Sequence, residues 1–333
     1  MKPDCNVATL IERYFTERLL RHRNVSSNTI ASYRDTFRLL FTYARSRLRK
    51  PPSDLALDDL AAPFISAFLE DLETKRGAGI RTRNLRLTAI RSFFRFVSYE
   101  EPAHSALIQR VLAIPAKRHD KRQVNFLMRD EIEAILAVPD RTTWLGRRDH
   151  TLLLLAAQTG LRLSELTGLN RDAIQLGAGA HVRCVGKGRK ERCTPLTAHA
   201  RAALQAWLKE PKRHGANALF PNMHGGRLSA DSVQSLLARH ARAASTKCPS
   251  LTSKRVSPHV LRHSAAMELL QAGVDCSVIA LWLGHESIET TQTYLHAHLA
   301  LKEAALKKLK PYDRGGRTRF RPADRLLAFL EAL

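Results

Sequence analysis

A single alternating segment, in a chain of otherwise helical periodicity, is the feature that most constrains the fold. The segment HVRCVGKGRKERCTPL, residues 181–196, alternates apolar and polar residues around a Gly-Lys-Gly turn, which is the pattern of a β-hairpin. Elsewhere, apolar residues recur at the three- and four-residue spacing of amphipathic helices. The sequence therefore predicts a mainly α fold with a small β-sheet or hairpin in its second half.

The helical pattern divides into two domains joined by a basic linker. Residues 1–112 are predicted to form an N-terminal helical domain, and residues 126–310 a second, mixed domain. The segment between them, residues 113–125 (AIPAKRHDKRQVN), contains Pro115, a basic run and few apolar residues, as interdomain linkers do. Residues 311–333 form a C-terminal tail. A basic linker between two basic domains would suit a clamp that closes around a duplex.

Capping residues and glycines predict where the helices begin and end. Ser26 and Ser27 suit the N-cap of one helix. Asp58 and Asp59 favour the N-terminus of another, and Gly160 is expected to end a third. The helices of the first domain are predicted at 7–20, 28–48, 58–75 and 81–99. Those of the second domain are predicted at 129–137, 147–159, 162–168, 197–209, 229–245, 259–272, 275–283 and 287–298.

The charge balance indicates the kind of partner. Lysine and arginine number 54 against 31 aspartate and glutamate residues, which leaves a net charge of +23 and a pI near 10.5. Such an excess attracts a polyanion. Because the basic residues are spread along the chain, with no basic amphipathic segment concentrated at an end, nucleic acid is favoured over an acidic membrane surface. No apolar run approaches the roughly 20 residues that a membrane-spanning helix needs.

The five cysteines fit a reducing compartment. They form an odd, scattered set without a C-x-x-C pair, which argues against a disulfide framework or a cysteine zinc site. Together with the absence of a signal-peptide pattern in MKPDCNVATL, this predicts a cytoplasmic protein. Cys184 and Cys193, which lie on the predicted hairpin, are interpreted as structural thiols.

The predicted helix at 81–99 combines an apolar stripe with basic residues. The stripe consists of Leu85, Ala89, Phe93 and Phe96. The arginines off the stripe are Arg81, Arg83, Arg86, Arg91 and Arg95. A solvated face is the simpler interpretation, but the net charge favours a surface that faces DNA. Further DNA contacts are expected from Lys117, Arg118, Lys121, Arg122, Arg189 and Lys190.

The motif TGLRLSEL, residues 159–166, places Arg162 at the start of a short helix. Backbone N–H groups also point outward at such a position, and an arginine there can grip a phosphate through two parallel hydrogen bonds. Glu165, three residues further on, offers a competing interpretation, in which the two residues form an ordinary helical ion pair.

The motif VGKGRKER, residues 185–192, leaves Lys187 projecting from the tip of the predicted hairpin. A basic hairpin tip can simply contact DNA phosphates. A lysine is also suited to donate a proton within a groove, because desolvation or neighbouring cations lower its pKa. The residues alone leave both interpretations open.

The motif SPHVLRHSAA, residues 257–266, places His259, Arg262 and His263 on one helix face. The two histidines have the spacing of a zinc pair, but the glutamate of H-E-x-x-H is absent and Arg262 would repel a dication. No metal or cofactor is therefore expected. An arginine and a histidine at this spacing can instead bracket one phosphate, with Ser257 as the helix N-cap.

The segment LGHESIETTQTYLHAH, residues 283–298, places Tyr294 nine residues after His285. The simple interpretation is a polar helix face with one buried aromatic residue. The sharper interpretation makes Tyr294 the nucleophile of a phosphoryl transfer through a covalent intermediate. Its hydroxyl, with an ordinary pKa near 10, would need help from Arg162 and Arg262, which could neutralise charge in the transition state.

Taken together, TGLRLSEL, GKGRKER, HVLRH and LGHESIETTQTYLH resemble, in order and spacing, the motifs of the tyrosine recombinases, or phage integrases. The pattern is most similar to the bacterial Xer-like branch and covers roughly residues 5–310. The resemblance implies that residues 1–112 are a SAM-like core-binding domain and residues 126–310 the catalytic domain of a two-domain DNA clamp.

The resemblance also implies a role for each motif residue. Phosphate binding falls to Arg162 and Arg262, general acid catalysis to Lys187, support to His259 and His285, and nucleophilic attack to Tyr294. The implied enzyme cleaves one strand of double-stranded DNA per protomer through a 3′-phosphotyrosyl bond, without a cofactor. It would act at the bacterial nucleoid as a tetramer on two DNA sites, alone or with related recombinases. Its role would be Xer-like resolution, or integration or transposition of a mobile element.

Two other functions compete with recombination. A type IB topoisomerase uses a similar cleavage centre but reseals the same strand, and the Xer-like two-domain length disfavours it. A catalytically idle DNA-binding accessory protein is disfavoured by the complete set of six residue types. The tail departs from the Xer-like pattern, in which chains usually end near Pro311. Residues 322–333 could form a helix that docks on a neighbouring protomer.

Overall fold

The computed structural model describes residues 6–119, 124–186, 190–215, 217–285 and 291. These residues form mainly helices, with one three-stranded antiparallel sheet. The prediction of a mainly α fold with a small sheet is thus confirmed. The chain divides into two compact units, Met1–Lys121 and Arg122–Leu333.

The described part of the first unit is helical. Its helices are α1 (Val7–Arg13), α2 (Ser27–Leu48), α3 (Ala62–Thr74), α4 (Ile80–Glu100) and α5 (Ser105–Ala113). The helix α1 continues as a π-helical segment, Tyr14–His22, in which each backbone hydrogen bond spans one more residue than in an α-helix. Apolar spacing predicted one helix over 7–20 and did not distinguish the two forms. The helix α5 was not predicted as a separate element.

Helix starts follow the predicted caps in one case and not in another. Ser26 caps α2, because its hydroxyl oxygen accepts the Thr29 N–H at 3.3 Å. The prediction that Asp58 and Asp59 begin a helix is wrong, since both lie in the 3₁₀ turn Leu57–Leu60 that precedes α3. The Asp59 carboxylate accepts the Ala56 N–H at 3.0 Å and thereby closes this turn instead.

Aromatic side chains fill the centre of the first unit. Tyr14, Phe37 and Phe93 pack edge to face, with ring centroids 5.4–6.3 Å apart. Tyr14 is almost fully buried, and its hydroxyl contacts the Ser92 hydroxyl at 2.7 Å. Rings in this geometry stabilise a core beyond the area that they bury.

The apolar stripe predicted on α4 is rotated about the helix axis relative to the face that is buried in the structure. Leu85 is 51% exposed, so its assignment to the stripe is wrong, whereas Ala89, Phe93 and Phe96 are buried as predicted. The observed core face of α4 also includes Leu87, Ile90, Phe94 and Val97. Four more apolar residues shift the centre of the face away from Leu85.

Three of the five arginines on α4 bind within the first unit. Arg83 is only 6% exposed and donates to the Pro115 carbonyl at 2.9 Å, so the expectation that it faces DNA is wrong. Arg86 donates to the Ser32 carbonyl at 2.9 Å. Arg91 donates to the carbonyl of Ile114. The remaining two, Arg81 and Arg95, are exposed as expected.

The chain that leaves the first unit is held against α4. The Asn84 side chain donates to the Lys117 carbonyl at 2.8 Å and accepts the Lys117 N–H at 3.0 Å. The Lys117 ammonium also pairs with Glu73 at 2.7 Å. Arg118, the next residue, is exposed, whereas the predicted contacts Lys121 and Arg122 lie outside the described residues.

The second unit is built around α7. Its described helices are α6 (Arg129–Leu136), α7 (Trp144–Thr159), α8 (Leu163–Gly168), α9 (Ala198–Leu208), α10 (Ala230–Ala244), α11 (Pro258–Gln271) and α12 (Cys276–Leu283). Most of α7 is buried, including the run Leu152–Ala157. Gly160 ends α7 in a left-handed conformation with φ of +61°, as predicted. Except for Thr291, the predicted helix at 287–298 lies outside the described residues.

The sheet contains the predicted hairpin and one additional strand. The strands β1 (Ile174–Gln175), β2 (His181–Val185) and β3 (Glu191–Pro195) pair antiparallel in that order. Cys184 pairs with Arg192 in the register of β2 and β3. Two residues are too few for strand periodicity, which explains why β1 was missed.

The first turn of α7 accepts only glycine at position 146. A Cβ placed on Gly146 would lie 1.8 Å from the carbonyl oxygen of Asp140. We expect Gly146→Ala to lower the free energy of unfolding by about 3 kcal/mol, because the backbone must move to accommodate the methyl group. Gly177→Ala is the matched control, since a Cβ there meets nothing within 4 Å.

The measurement is urea unfolding followed by tryptophan fluorescence. All three tryptophans, Trp144, Trp207 and Trp282, lie in the second unit and report on it alone. Equal midpoints for the two alanine variants would contradict the predicted backbone clash.

Candidate active site

Arg162 is fixed at the turn between α7 and α8. The carboxylate of Glu165 accepts both the Arg162 backbone N–H at 2.7 Å and its guanidinium Nη1 at 2.9 Å. The Nη2 group donates to the Gly284 carbonyl at 2.8 Å. The ion pair expected as the competing interpretation is therefore present, and it orients an arginine whose side chain remains partly exposed.

Arg262 reaches the same region from α11. Ser257 caps this helix, since its hydroxyl accepts the Val260 N–H at 3.3 Å. Arg262 is buried, and its guanidinium donates to the Gly160 carbonyl at 2.6 Å and to the Leu283 carbonyl at 2.7 Å. These two carbonyls end α7 and α12, where the helix dipole favours a cation.

The end of α12 brings three predicted site residues together. Arg162 and Arg262 bind the carbonyls of two consecutive residues, Gly284 and Leu283. His285 follows directly, and its Nδ1 contacts the Thr291 hydroxyl at 2.8 Å. The side chains of Arg162 and Arg262, which are 100 positions apart along the chain, thus meet at one helix terminus.

The two histidines of α11 differ in their surroundings. His259 is exposed, whereas His263, one turn later, is half-buried. Burial, together with His259 and Arg262, lowers the pKa of His263 to about 4. Within the described ranges, no three His, Cys, Asp or Glu residues are grouped so that they could hold a metal ion.

Burial and positive charge keep the His285 imidazole neutral. Its pKa is lowered to about 4 by burial and by the charges of Arg262 and Arg162. A neutral imidazole has one nitrogen that donates and one that accepts a hydrogen bond. At neutral pH His285 is therefore uncharged and can accept a hydrogen bond on one nitrogen or orient a neighbouring group.

The Glu165 carboxylate has a second arginine partner, which the sequence analysis did not single out. Arg192 on β3 donates Nη1 to Oε1 at 2.8 Å and Nη2 to Oε2 at 2.7 Å. Burial raises the pKa of Glu165, but hydrogen bonds from Arg192 and Arg162 outweigh this and lower it to about 2. The available signal was strand alternation, because Arg192 and the buried Thr194 share one face of β3.

The structure describes only some of the residues predicted to lie in the hairpin turn. The Gly186 N–H donates to the Lys190 carbonyl at 2.8 Å, and Lys190 is exposed. Lys187 and Arg189 lie outside the described residues, as do Tyr294 and the tail 311–333.

Cys184 and Cys193 lie on opposite faces of the hairpin. Cys184 is buried and Cys193 exposed, and both are free thiols. Burial raises the pKa of Cys184 to about 11, so this thiol is neutral at pH 7.

Comparison with known families now identifies the chain. Residues 125–300 match the phage integrase family, and residues 11–101 match the SAM-like N-terminal domain of phage integrases. The chain belongs to the phage integrase family. It is thus a member of the tyrosine recombinases, which are DNA strand-exchanging enzymes.

Similar proteins extend over nearly all of the chain. It is 59% identical over 333 residues to y4rC of Sinorhizobium fredii, which is named as an integrase/recombinase, with both chains covered completely. It is 36% identical to the tyrosine recombinase XerC of Rhodospirillum centenum, over 88% of this chain and 83% of that protein.

Solved structures show the same fold. The site-specific recombinase XerH, bound to a palindromic difH substrate in a post-cleavage complex, matches with a TM-score of 0.67 at 22% identity. The match covers 86% of this chain and 82% of XerH.

No helix in the described part of the chain is long and apolar enough to cross a membrane.

Acid should destabilise the DNA-free protein through two histidines. The pKa values of His263 and His285 lie near 4 in the folded chain, below the ordinary 6.5. Their contribution to stability is therefore complete above pH 6.5 and is lost as the pH falls towards 4, because the unfolded chain binds protons that the folded chain does not. Replacing both by glutamine should remove about 1–2 kcal/mol of the stability loss between pH 7 and pH 5, allowing for solvent screening.

Urea titrations of both proteins at the two pH values measure this difference. An equal loss of stability in the wild-type chain and the double variant would contradict the prediction.

Proposed function

We propose that the chain is a site-specific recombinase that cleaves and rejoins DNA through a 3′-phosphotyrosyl intermediate. The observation that carries the proposal is the meeting of Arg162 and Arg262 at the end of α12. His285 follows there, and Tyr294 comes nine residues after it. Two arginines and an imidazole at one point form a site for a phosphodiester rather than for a small neutral ligand.

The two arginines serve the pentacoordinate transition state. A guanidinium carries five N–H donors in a rigid plane, and the bonds from Arg162 to Glu165 and Gly284 fix that plane. Arg262 is fixed in the same way by two carbonyls. Donors held before the reaction starts stabilise the charge that develops on the non-bridging oxygens without reorganisation.

The remaining chemistry needs a nucleophile, an acid and groups that move protons. The Tyr294 oxygen attacks phosphorus, a new O–P bond forms, and the bond from phosphorus to the 5′ oxygen breaks. Lys187 protonates the leaving 5′ oxygen, while His259 or the neutral His285 takes the phenol proton or orients the groups. The reverse attack by the 5′-hydroxyl of a partner duplex joins the exchanged strand, so no ATP is consumed.

The partner is double-stranded DNA, and the active assembly is a tetramer on two sites. The net charge of +23 supports DNA binding, as does the similarity to XerH, which was solved with its difH substrate. Arg81, Arg95, Arg118 and Lys190 are exposed, and we expect them to contact the DNA backbone. The tetramer contains this chain alone or with a related recombinase, and residues 311–333 contact a neighbouring protomer. The enzyme acts on nucleoid DNA in the bacterial cytoplasm.

Covalent trapping tests the nucleophile and the reaction class together. A pool of duplexes that tiles the DNA flanking the native gene, each nicked near a possible crossover, loses its 5′-hydroxyl fragment after cleavage and leaves the protein attached. We expect the wild-type chain to form the adduct and Tyr294→Phe to form none, because the phenylalanine ring has no nucleophilic oxygen. Denaturing gel electrophoresis measures the adduct.

Tyr33→Phe, at a tyrosine in the first unit, is the matched control and should trap normally. An adduct with Tyr294→Phe would overturn the nucleophile assignment. The absence of any adduct with the wild-type chain would indicate an idle accessory protein, and relaxation of supercoils without a required site would indicate a type IB topoisomerase. The mapped breaks also separate Xer-like resolution from integration or transposition.

A further inference from the structure

We infer that Arg192 is a positioning residue that ties the β2–β3 hairpin to the arginine pair of the reaction centre. The inference rests on the proposed function, because it gives Arg192 a purpose in that reaction. The Arg192 guanidinium packs between three elements. Those elements are α8, the end of β2 and the end of α12.

The contact with α8 is a two-bond ion pair. Both terminal nitrogens of Arg192 donate to Glu165, one to each carboxylate oxygen, at 2.8 and 2.7 Å. The Arg192 side chain is 11% exposed and that of Glu165 is 3% exposed, so water weakens the pair little. Glu165 also binds Arg162 at 2.9 Å, and one carboxylate therefore fixes Arg192 and Arg162 relative to each other.

The contacts with the hairpin and α12 are made to glycines. A Cβ on Gly186 would lie 3.1 Å from Arg192 Nη1 and 3.2 Å from Glu165 Oε1. A Cβ on Gly284 would lie 2.8 Å from Arg192 Nη1 and 3.2 Å from its Cζ. The guanidinium thus lies against bare backbone on two elements, which is possible only where no side chain intervenes.

The neighbours of these glycines explain why the packing matters for the reaction. Lys187 follows Gly186, and His285 follows Gly284. One guanidinium therefore lies next to the glycine before the proposed acid and next to the glycine before His285, and it shares Glu165 with Arg162. A displacement of about 1 Å in such groups can cost about 100-fold in rate.

The same geometry excludes simpler purposes for Arg192. Glu165 already has an arginine partner in Arg162, so Arg192 is not required merely to neutralise it. Both of its terminal nitrogens instead donate to Glu165, and Gly186 and Gly284 lie next to its guanidinium, so Arg192 is held by protein groups. Arg192 is therefore a positioning residue, not a catalytic one.

The test compares cleavage of two DNA substrates by matched variants. One substrate has the ordinary scissile phosphodiester. In the other, sulfur replaces the bridging 5′ oxygen, so that the leaving group is a thiolate and needs no proton from an acid. The variants are Arg192→Met and Arg192→Lys, with Arg201→Met and Arg201→Lys on the exposed surface of α9 as charge-matched controls. Lys187→Met and Arg162→Ala serve as references for loss of the acid and of a phosphate-binding group.

We expect Arg192→Met to slow single-turnover cleavage of the ordinary substrate by about 100-fold, with DNA affinity within about threefold of wild type. On the sulfur substrate, its loss of cleavage rate relative to wild type should shrink at least about fivefold, because no acid is needed. Lys187→Met should show the same recovery, and Arg162→Ala should not. Arg192→Lys should resemble Arg192→Met, since a lysine ammonium lacks the planar fork that donates two parallel hydrogen bonds to a carboxylate and fills the space between the glycines. The Arg201 variants should cleave both substrates at wild-type rates.

A double variant keeps the test decisive if Arg192→Met folds poorly. The double variant Glu165→Gln/Arg192→Met removes both charges of the ion pair. Because the two residues act as a unit, it should cleave no more than about threefold slower than Glu165→Gln alone. Additive losses, an unchanged deficit on the sulfur substrate, or full activity of Arg192→Lys would overturn the inference. Failure of the wild-type chain to form any adduct would instead overturn the proposed function.

Discussion

The carbonyl groups at the end of α12 are the interaction on which the rest of the site depends. A helix that ends at Gly284 exposes carbonyl oxygens with partial negative charge, and Arg162 and Arg262 satisfy two of them. Without these acceptors, two guanidinium groups held close together would repel each other. The helix end therefore holds both guanidinium groups at the place where we propose that a phosphate binds.

Buried cations are tolerated in this basic chain because each has a fixed acceptor. Glu165 binds Arg162 and Arg192, and its low pKa keeps it ionised across the physiological range. A similar arrangement occurs elsewhere in the second unit, where buried Asp149 binds buried Arg148 at 2.7 Å. Positive charge that is not satisfied internally remains at the surface, where it can meet DNA.

Local signals predicted most of the helices, but long-range contacts decided the details. The cap at Ser26, the stop at Gly160 and the hairpin at 181–196 depend on neighbours in sequence, and the structure confirms them. The burial of Arg83 and the exposure of Leu85 depend on what α4 packs against, which no window of sequence contains. The sequence did not predict Arg192 as a site residue for the same reason, since its partner Glu165 lies 27 residues away on another element.

Cleavage of a methylphosphonate substrate tests whether Arg162 and Arg262 together stabilise the charge of one phosphate. A methyl group in place of a non-bridging oxygen removes the negative charge at the scissile position. We expect Arg162→Ala and Arg262→Ala each to slow cleavage of the ordinary substrate by about 100-fold or more. On the neutral substrate each substitution should slow cleavage by less than about tenfold. Equal losses on both substrates would show that the two arginines do not act on the charge of the phosphate.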